Sequence, residues 1–160
     1  MWLVIKLPNE QMLSLLSLFI VEITSTINKL REIIMANSAL IVEDNEHLRL
    51  LFSIAFEKVG FNVDNAENGL VALGKIEQQT YDIVTLDIDM PGISGLDVLE
   101  IMQSIPTTSN TKVIIVTGND QYAWSEKAKL ADLILLKPVG FKQLLVLANR
   151  LISQNQSIAS

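Results

Sequence analysis

Three acids, one hydroxyl and one lysine draw notice because each closes a short apolar run. Ala39 to Val42 ends in Glu43-Asp44, and Ile83 to Leu86 ends in Asp87. Val113 to Val116 ends in Thr117-Gly118, and Leu133 to Leu136 ends in Lys137-Pro138. Carboxylates gathered at one point raise each other's pKa unless a cation neutralises them. Glu43, Asp44 and Asp87 therefore predict a hard divalent cation held by oxygen ligands, Mg²⁺ or Mn²⁺. Such a cation shields an incoming phosphoryl group from the acids. Asp87 is then the nucleophile that forms an aspartyl phosphate. Lys137 is a point charge suited to a phosphoryl oxygen, and the Thr117 hydroxyl and Gly118 N–H are further donors. Catalysis of this kind consists mainly of positioning and charge neutralisation.

These residues converge only if the chain builds a suitable frame. Between the apolar runs, hydrophobic residues recur at helical spacing: Leu48, Leu51, Phe52, Ala55 and Phe56; Leu70, Leu73 and Ile76; Leu96, Leu99 and Ile101; Leu144, Leu147, Ala148 and Leu151. Phe61 to Asn65 is a further strand, Gly60 a helix stop, and a short helix is expected over about Tyr122 to Lys129. Five strands alternating with five helices predict an α/β fold, a doubly wound parallel sheet covered on both faces. In such sheets ligands bind at the carboxyl ends of the strands. Four of the five predicted ends carry one of the polar groups above.

Bulk composition narrows the function classes. With 160 residues and 49% hydrophobic content, one core is affordable. The balance of 18 acidic against 12 basic side chains, net -6, argues against nucleic acid as a partner. Cysteine is absent, which excludes disulfides and thiolate sites and fits a reducing compartment. The longest uncharged apolar stretch, Gln11 to Val21, is too short for a membrane span, and its flanks do not suit a secretory signal. A cytoplasmic protein is expected. The domain reading is an N-terminal extension over 1–35, a globular domain over 36–152 and a polar tail over 153–160, with no room for an output domain after it.

In the extension, Leu13, Leu16, Ile20, Ile23, Ile27, Leu30 and Ile34 step by alternating threes and fours, the a/d pattern of a coiled-coil seam. A helix there is suited to a second copy of itself or to a partner helix. The competing reading is that these residues are never translated. Met35-Ala36-Asn37-Ser38 is a natural opening just before the first strand, and Arg31-Glu32 can be encoded by purine-rich codons. The intact mass of the native protein decides between the two.

The ordered set Leu40-Ile41-Val42-Glu43-Asp44-Asn45, Asp87-Ile88-Asp89-Met90-Pro91-Gly92, Val116-Thr117-Gly118 and Leu136-Lys137-Pro138 resembles the response-regulator receiver domain of two-component signalling. The resemblance covers roughly Asn37 to Ile152. It implies the flavodoxin-like strand order 2-1-3-4-5 and a stand-alone, chemotaxis-type regulator. By the same resemblance Asp87 is the phosphoacceptor, and Thr117 and Lys137 bind the phosphoryl group. Asp44 ligates the metal, Glu43 acts beside it, and the backbone carbonyl of Asp89 completes the protein's share of the shell. The phosphoryl donor is a histidine kinase or a histidine phosphotransfer protein, and the output is contact with a downstream effector protein. The domain catalyses only its own phosphotransfer and autodephosphorylation, so it is not counted as an enzyme.

The sequence departs from the family pattern at Ile134, where a switch aromatic is usual three residues before the lysine. It departs again at Leu130, usually glycine, and at Val139, usually aromatic. Asp89 adds a negative charge two residues past the phosphoacceptor and is expected to alter hydrolysis of the acyl phosphate. His47 is expected to be solvated, and Trp124 to pack or to meet a partner. Two other classes compete. Asp87-Ile88-Asp89 also fits the nucleophile motif of haloacid-dehalogenase-like phosphatases, but there the motif comes on the first strand. A flavin-binding module of similar fold is disfavoured because three acids repel a flavin phosphate and no serine- and threonine-rich phosphate loop follows the first strand.

Overall fold

The structure, a computed structural model, describes residues 9–34, 37–123 and 125–158, and the side chains of 12–27, 37–122 and 125–151. The chain divides into two compact units, 1–36 and 37–160. In the first, one helix, α1, spans Asn9–Ile34. The side chains of Leu30 and Ile34, which belong to the predicted seam, lie outside the described residues.

The second unit is built from the expected alternation. Strands β1 (Ser38–Val42), β2 (Asn62–Ala66), β3 (Ile83–Asp87), β4 (Lys112–Thr117) and β5 (Leu133–Leu136) alternate with helices α2 (Glu46–Lys58), α3 (Gly69–Gln78), α4 (Gly95–Gln103), α5 (Asp120–Ala123) and α6 (Phe141–Ile158). All pairings are parallel, and the sheet order is β2-β1-β3-β4-β5. The order reverses beside β1, so β1 and β3 are neighbours and their carboxyl ends meet at the switch point.

Period-two alternation sends each central strand's side chains to two separate cores. Leu40, Val42, Val84, Leu86, Val113 and Ile115 pack with Ala72, Ile76, Val98, Leu99 and Met102 of α3 and α4. Ala39, Ile41, Ile83, Ile114 and Val116 pack with Phe52, Ala55 and Phe56 of α2 and Leu144 and Ala148 of α6. Three helices start on side-chain caps: Asn45 accepts from the Leu48 N–H, Asn68 from Val71 and Ser94 from Asp97. Gly60, at φ +95, turns the chain out of α2, where a side chain would be strained.

The connection between β4 and β5 differs from expectation. The helix predicted over about Tyr122 to Lys129 is a single turn, α5, followed by a 3-10 turn at Ala128–Leu130. Ala128 is the only buried described side chain in that stretch. Without an apolar stripe to bury, a short helix has little to sustain it. Trp124 lies outside the described residues. No helix among the described residues is long and apolar enough to cross a membrane.

Candidate functional site

The five carboxyl ends of the strands form one rim, and the sheet order sets Glu43, after β1, beside Asp87, at the end of β3. Both side chains are buried, at 3% exposure each, whereas Asp44 is exposed. Carboxylate oxygens of Glu43, Asp44 and Asp87 all lie within 4.8 Å of one another. Lys137, just past β5, reaches into the cluster. Its Nζ stands 2.8 Å from Asp87 Oδ2 and 2.9 Å from Glu43 Oε2. The peptide bond after it, Lys137-Pro138, is cis.

These charges reshape one another. Burial pushes the Glu43 carboxyl above the usual carboxylate range; the Lys137 ammonium pulls it back, and the Asp87 charge adds to the rise. Burial alone lowers the Lys137 pKa, yet its bonds to Asp87 and Glu43 leave it above the ordinary value. Three carboxylates against one ammonium leave two uncompensated negative charges. A divalent cation matches that deficit, and the all-oxygen donor set suits Mg²⁺ or Mn²⁺. The residues present therefore fit the expected metal.

The surroundings hold the acids in place. Asp87 Oδ1 accepts from the Asp89 N–H at 3.2 Å, while the Asp89 side chain stays exposed. The Asn45 N–H approaches Glu43 Oε1 at 3.4 Å. Thr117 is fully buried at the end of β4. Its hydroxyl oxygen accepts from the Asn119 N–H at 3.0 Å and lies 3.2 Å from the Asn119 carbonyl. The cluster thus gathers Glu43, Asp44, Asp87 and Lys137, with Thr117 turned to its own loop. Ile134 packs against the core shared with α3 and α4, and His47 is exposed.

Two contributors escaped the reading of the sequence. Arg49 of α2 donates from Nη1 to the carbonyl of Glu43 at 2.7 Å and of Asp44 at 3.2 Å, fixing the backbone that carries both acids. Its spacing from the acid pair, just over one helical turn into α2, was the available signal. Gly95, the first residue of α4, is pressed against the backbone of Asp87. A Cβ built there would fall 2.1 Å from the Asp87 carbonyl oxygen. Nothing in the local pattern distinguishes it from a loop glycine.

Beside Lys137 lies a mostly apolar pocket of about 330 Å³, lined by Leu48, Phe52, Lys137, Pro138 and Val139.

Known proteins are similar to this chain in sequence and fold. The family described as the response regulator receiver domain matches residues 39–149. The sporulation initiation phosphotransferase F of Bacillus subtilis is 34% identical over 95 residues, covering 59% of this chain and 75% of that protein. Protein PilH of Pseudomonas aeruginosa is 33% identical over 117 residues, covering 71% of this chain and 96% of its own. Among solved structures, the response regulator TrrA of Thermotoga maritima, in complex with Mg²⁺ and BeF, superposes with a TM-score of 0.65. It is 33% identical and covers 72% of this chain and 98% of that one. The chain spans only about half the length of several other curated relatives. Family match and chain order both run against the phosphatase reading, because Asp87 ends the third strand rather than the first. The chain belongs to the response regulator receiver domain family of two-component signalling.

Proposed function

We propose that this protein is a single-domain response regulator that accepts a phosphoryl group on Asp87 and signals by protein–protein contact. The observation that carries this is the placement of Lys137 Nζ between Asp87 and Glu43 at the mouth of a three-acid cluster. The donor is the phosphohistidine of a histidine kinase or of a histidine phosphotransfer protein. Asp87 attacks phosphorus, the P–N bond breaks, an acyl phosphate forms and the imidazole leaves. Water later attacks the same phosphorus, releasing inorganic phosphate and restoring the carboxylate.

Lys137 exchanges its Asp87 oxygen for a phosphoryl oxygen. Thr117 gives up its bonds to Asn119 to donate to another. The carboxylates of Glu43, Asp44 and Asp87, with the Asp89 carbonyl, would hold Mg²⁺ or Mn²⁺. When bound, the metal supplies the positive charge that lets a phosphoryl group approach three acids. The pocket of Leu48, Phe52, Pro138 and Val139 gives a macromolecular donor an apolar foothold next to the cation. On this reading the protein works in the cytoplasm beside its kinase, and the domain turns over no substrate but its own phosphate.

The test is incubation with acetyl phosphate and Mg²⁺ followed by intact mass. The wild type gains one phosphate per chain and Asp87→Asn gains none. An equal adduct on the variant refutes the assignment.

A further inference from the structure

Every described side chain of α1, from Met12 to Ile27, is exposed. The seam residues Leu13, Leu16, Ile20, Ile23 and Ile27 are 63%, 55%, 55%, 43% and 51% exposed. The segment is also a poor helix former by propensity, since Ile20, Val21, Ile23, Thr24, Thr26 and Ile27 are all β-branched. A helix of such composition needs a packed face to persist in water.

The apolar period says what packs there. Leu13, Leu16, Ile20, Ile23, Ile27, Leu30 and Ile34 repeat every 3.5 residues on average, and α1 is one unbroken helix through all of them. Leu13, Ile20, Ile27 and Ile34 fall at a, and Leu16, Ile23 and Leu30 at d, so isoleucine holds three of the four a positions and leucine two of the three d positions, the combination that favours two strands. The flanking e and g positions between Leu16 and Ile27 are Ser17, Phe19, Thr24 and Thr26, with no charge among them. An identical helix therefore meets no like-charge repulsion across the seam from Leu16 to Ile27.

Three of those flanking groups are already internally satisfied. The Ser17 hydroxyl donates to the Ser14 carbonyl at 2.7 Å, Thr24 to Ile20 at 2.7 Å and Thr26 to Glu22 at 3.0 Å. Burying them leaves no hydroxyl proton unpaired. Glu22 falls at c, off the seam.

We infer that α1 pairs along this seam with α1 of a second copy of the chain, making the protein a homodimer. This goes beyond the phosphoacceptor reading and does not depend on it.

Light scattering of the full chain then gives twice the 17.8 kDa chain mass. Ile20→Asp with Ile27→Asp halves that mass. Leu15→Asp with Leu18→Asp, placed at c and f, keeps it. An unchanged thermal melt of residues 37–160 in each variant separates dissociation from misfolding. A monomeric wild type overturns the inference, as does an assembly that the c and f variant breaks as readily as the seam variant. So does sedimentation with phosphatidylcholine vesicles abolished equally by both variants, because lipid covers an apolar helix without regard to its seam.

Discussion

Both rims of the sheet carry carboxylates, and the two sets do opposite things. At the amino rim, Asp82 precedes β3 and Asp132 precedes β5. Asp82 Oδ2 accepts from the Ser38 N–H at 2.7 Å and from the Ser38 hydroxyl at 3.0 Å, clasping β3 to the start of β1. Asp132 accepts from the Val113 N–H at 2.9 Å and from Lys112 Nζ at 2.8 Å, clasping β5 to β4. Each of these acids is satisfied by its neighbouring strand. At the carboxyl rim, Glu43, Asp44 and Asp87 face one another and share one ammonium. An acid at a strand end is therefore no sign of chemistry in itself. What separates the two sets is that each amino-rim acid clasps a neighbouring strand, whereas the carboxyl-rim acids crowd against one another.

The contrast can be broken at the carboxyl rim first. Lys137→Ala removes the only cation bonded to Asp87 among the described residues, and the rate of labelling by acetyl phosphate falls on the order of 100-fold. The fold survives, and rapid-quench mass measurement reads the rate. A rate within a few-fold of wild type would mean the ammonium is structural. The amino rim predicts the reverse. Asp82→Ala leaves the Ser38 N–H without its acceptor and costs about 2 kcal/mol, seen as a lower urea midpoint. Its phosphate uptake matches wild type.

A third measurement sharpens the contrast through pH. Tyr81, in the turn before β3, donates its hydroxyl proton to Asp64 Oδ2 at 2.7 Å. Burial and the Asp64 carboxylate push its pKa up to about 12. The folded chain thus holds a proton that the unfolded chain releases near its ordinary value of about 10. Stability from this group is intact below about 10 and is lost as pH rises towards about 12. Urea midpoints across that range should fall for wild type and fall less for Tyr81→Phe. The smallest expected effect is at Asp89, whose exposed carboxylate stands two residues past Asp87. Asp89→Asn should change the phosphate lifetime by about three-fold, the scale of a screened surface charge. Equal lifetimes in the two proteins would remove Asp89 from the chemistry.

The reactive rim was legible because it depends on order along the chain. Each apolar run ends in its polar group, and a parallel sheet brings such ends together whatever the loops do. The fasteners were not legible, since Asp82 and Ser38 lie 44 residues apart and only strand pairing makes them partners. Strand positions were read to within a residue or two, because β4 is a continuous apolar run bounded by polar residues and β3 is interrupted only by the β-branched Thr85. The helix before β5 was read too long. Its polar residues have acceptable helix propensity, and only the folded context shows that, among the described side chains there, Ala128 alone is buried. Thr117 was placed at the right strand end, but its bonds to Asn119 depend on a loop conformation that spacing does not encode.

Gly95 has a consequence for how this protein tolerates change. Its codon has one viable meaning, because the atom any other residue would add is already occupied by the carbonyl oxygen of Asp87. In a library of all single substitutions scored for folding, position 95 would behave as Asp87 does in one scored for phosphorylation. A position can thus be intolerant of any change without bearing a reactive group, solely because the backbone of Asp87 leans on it.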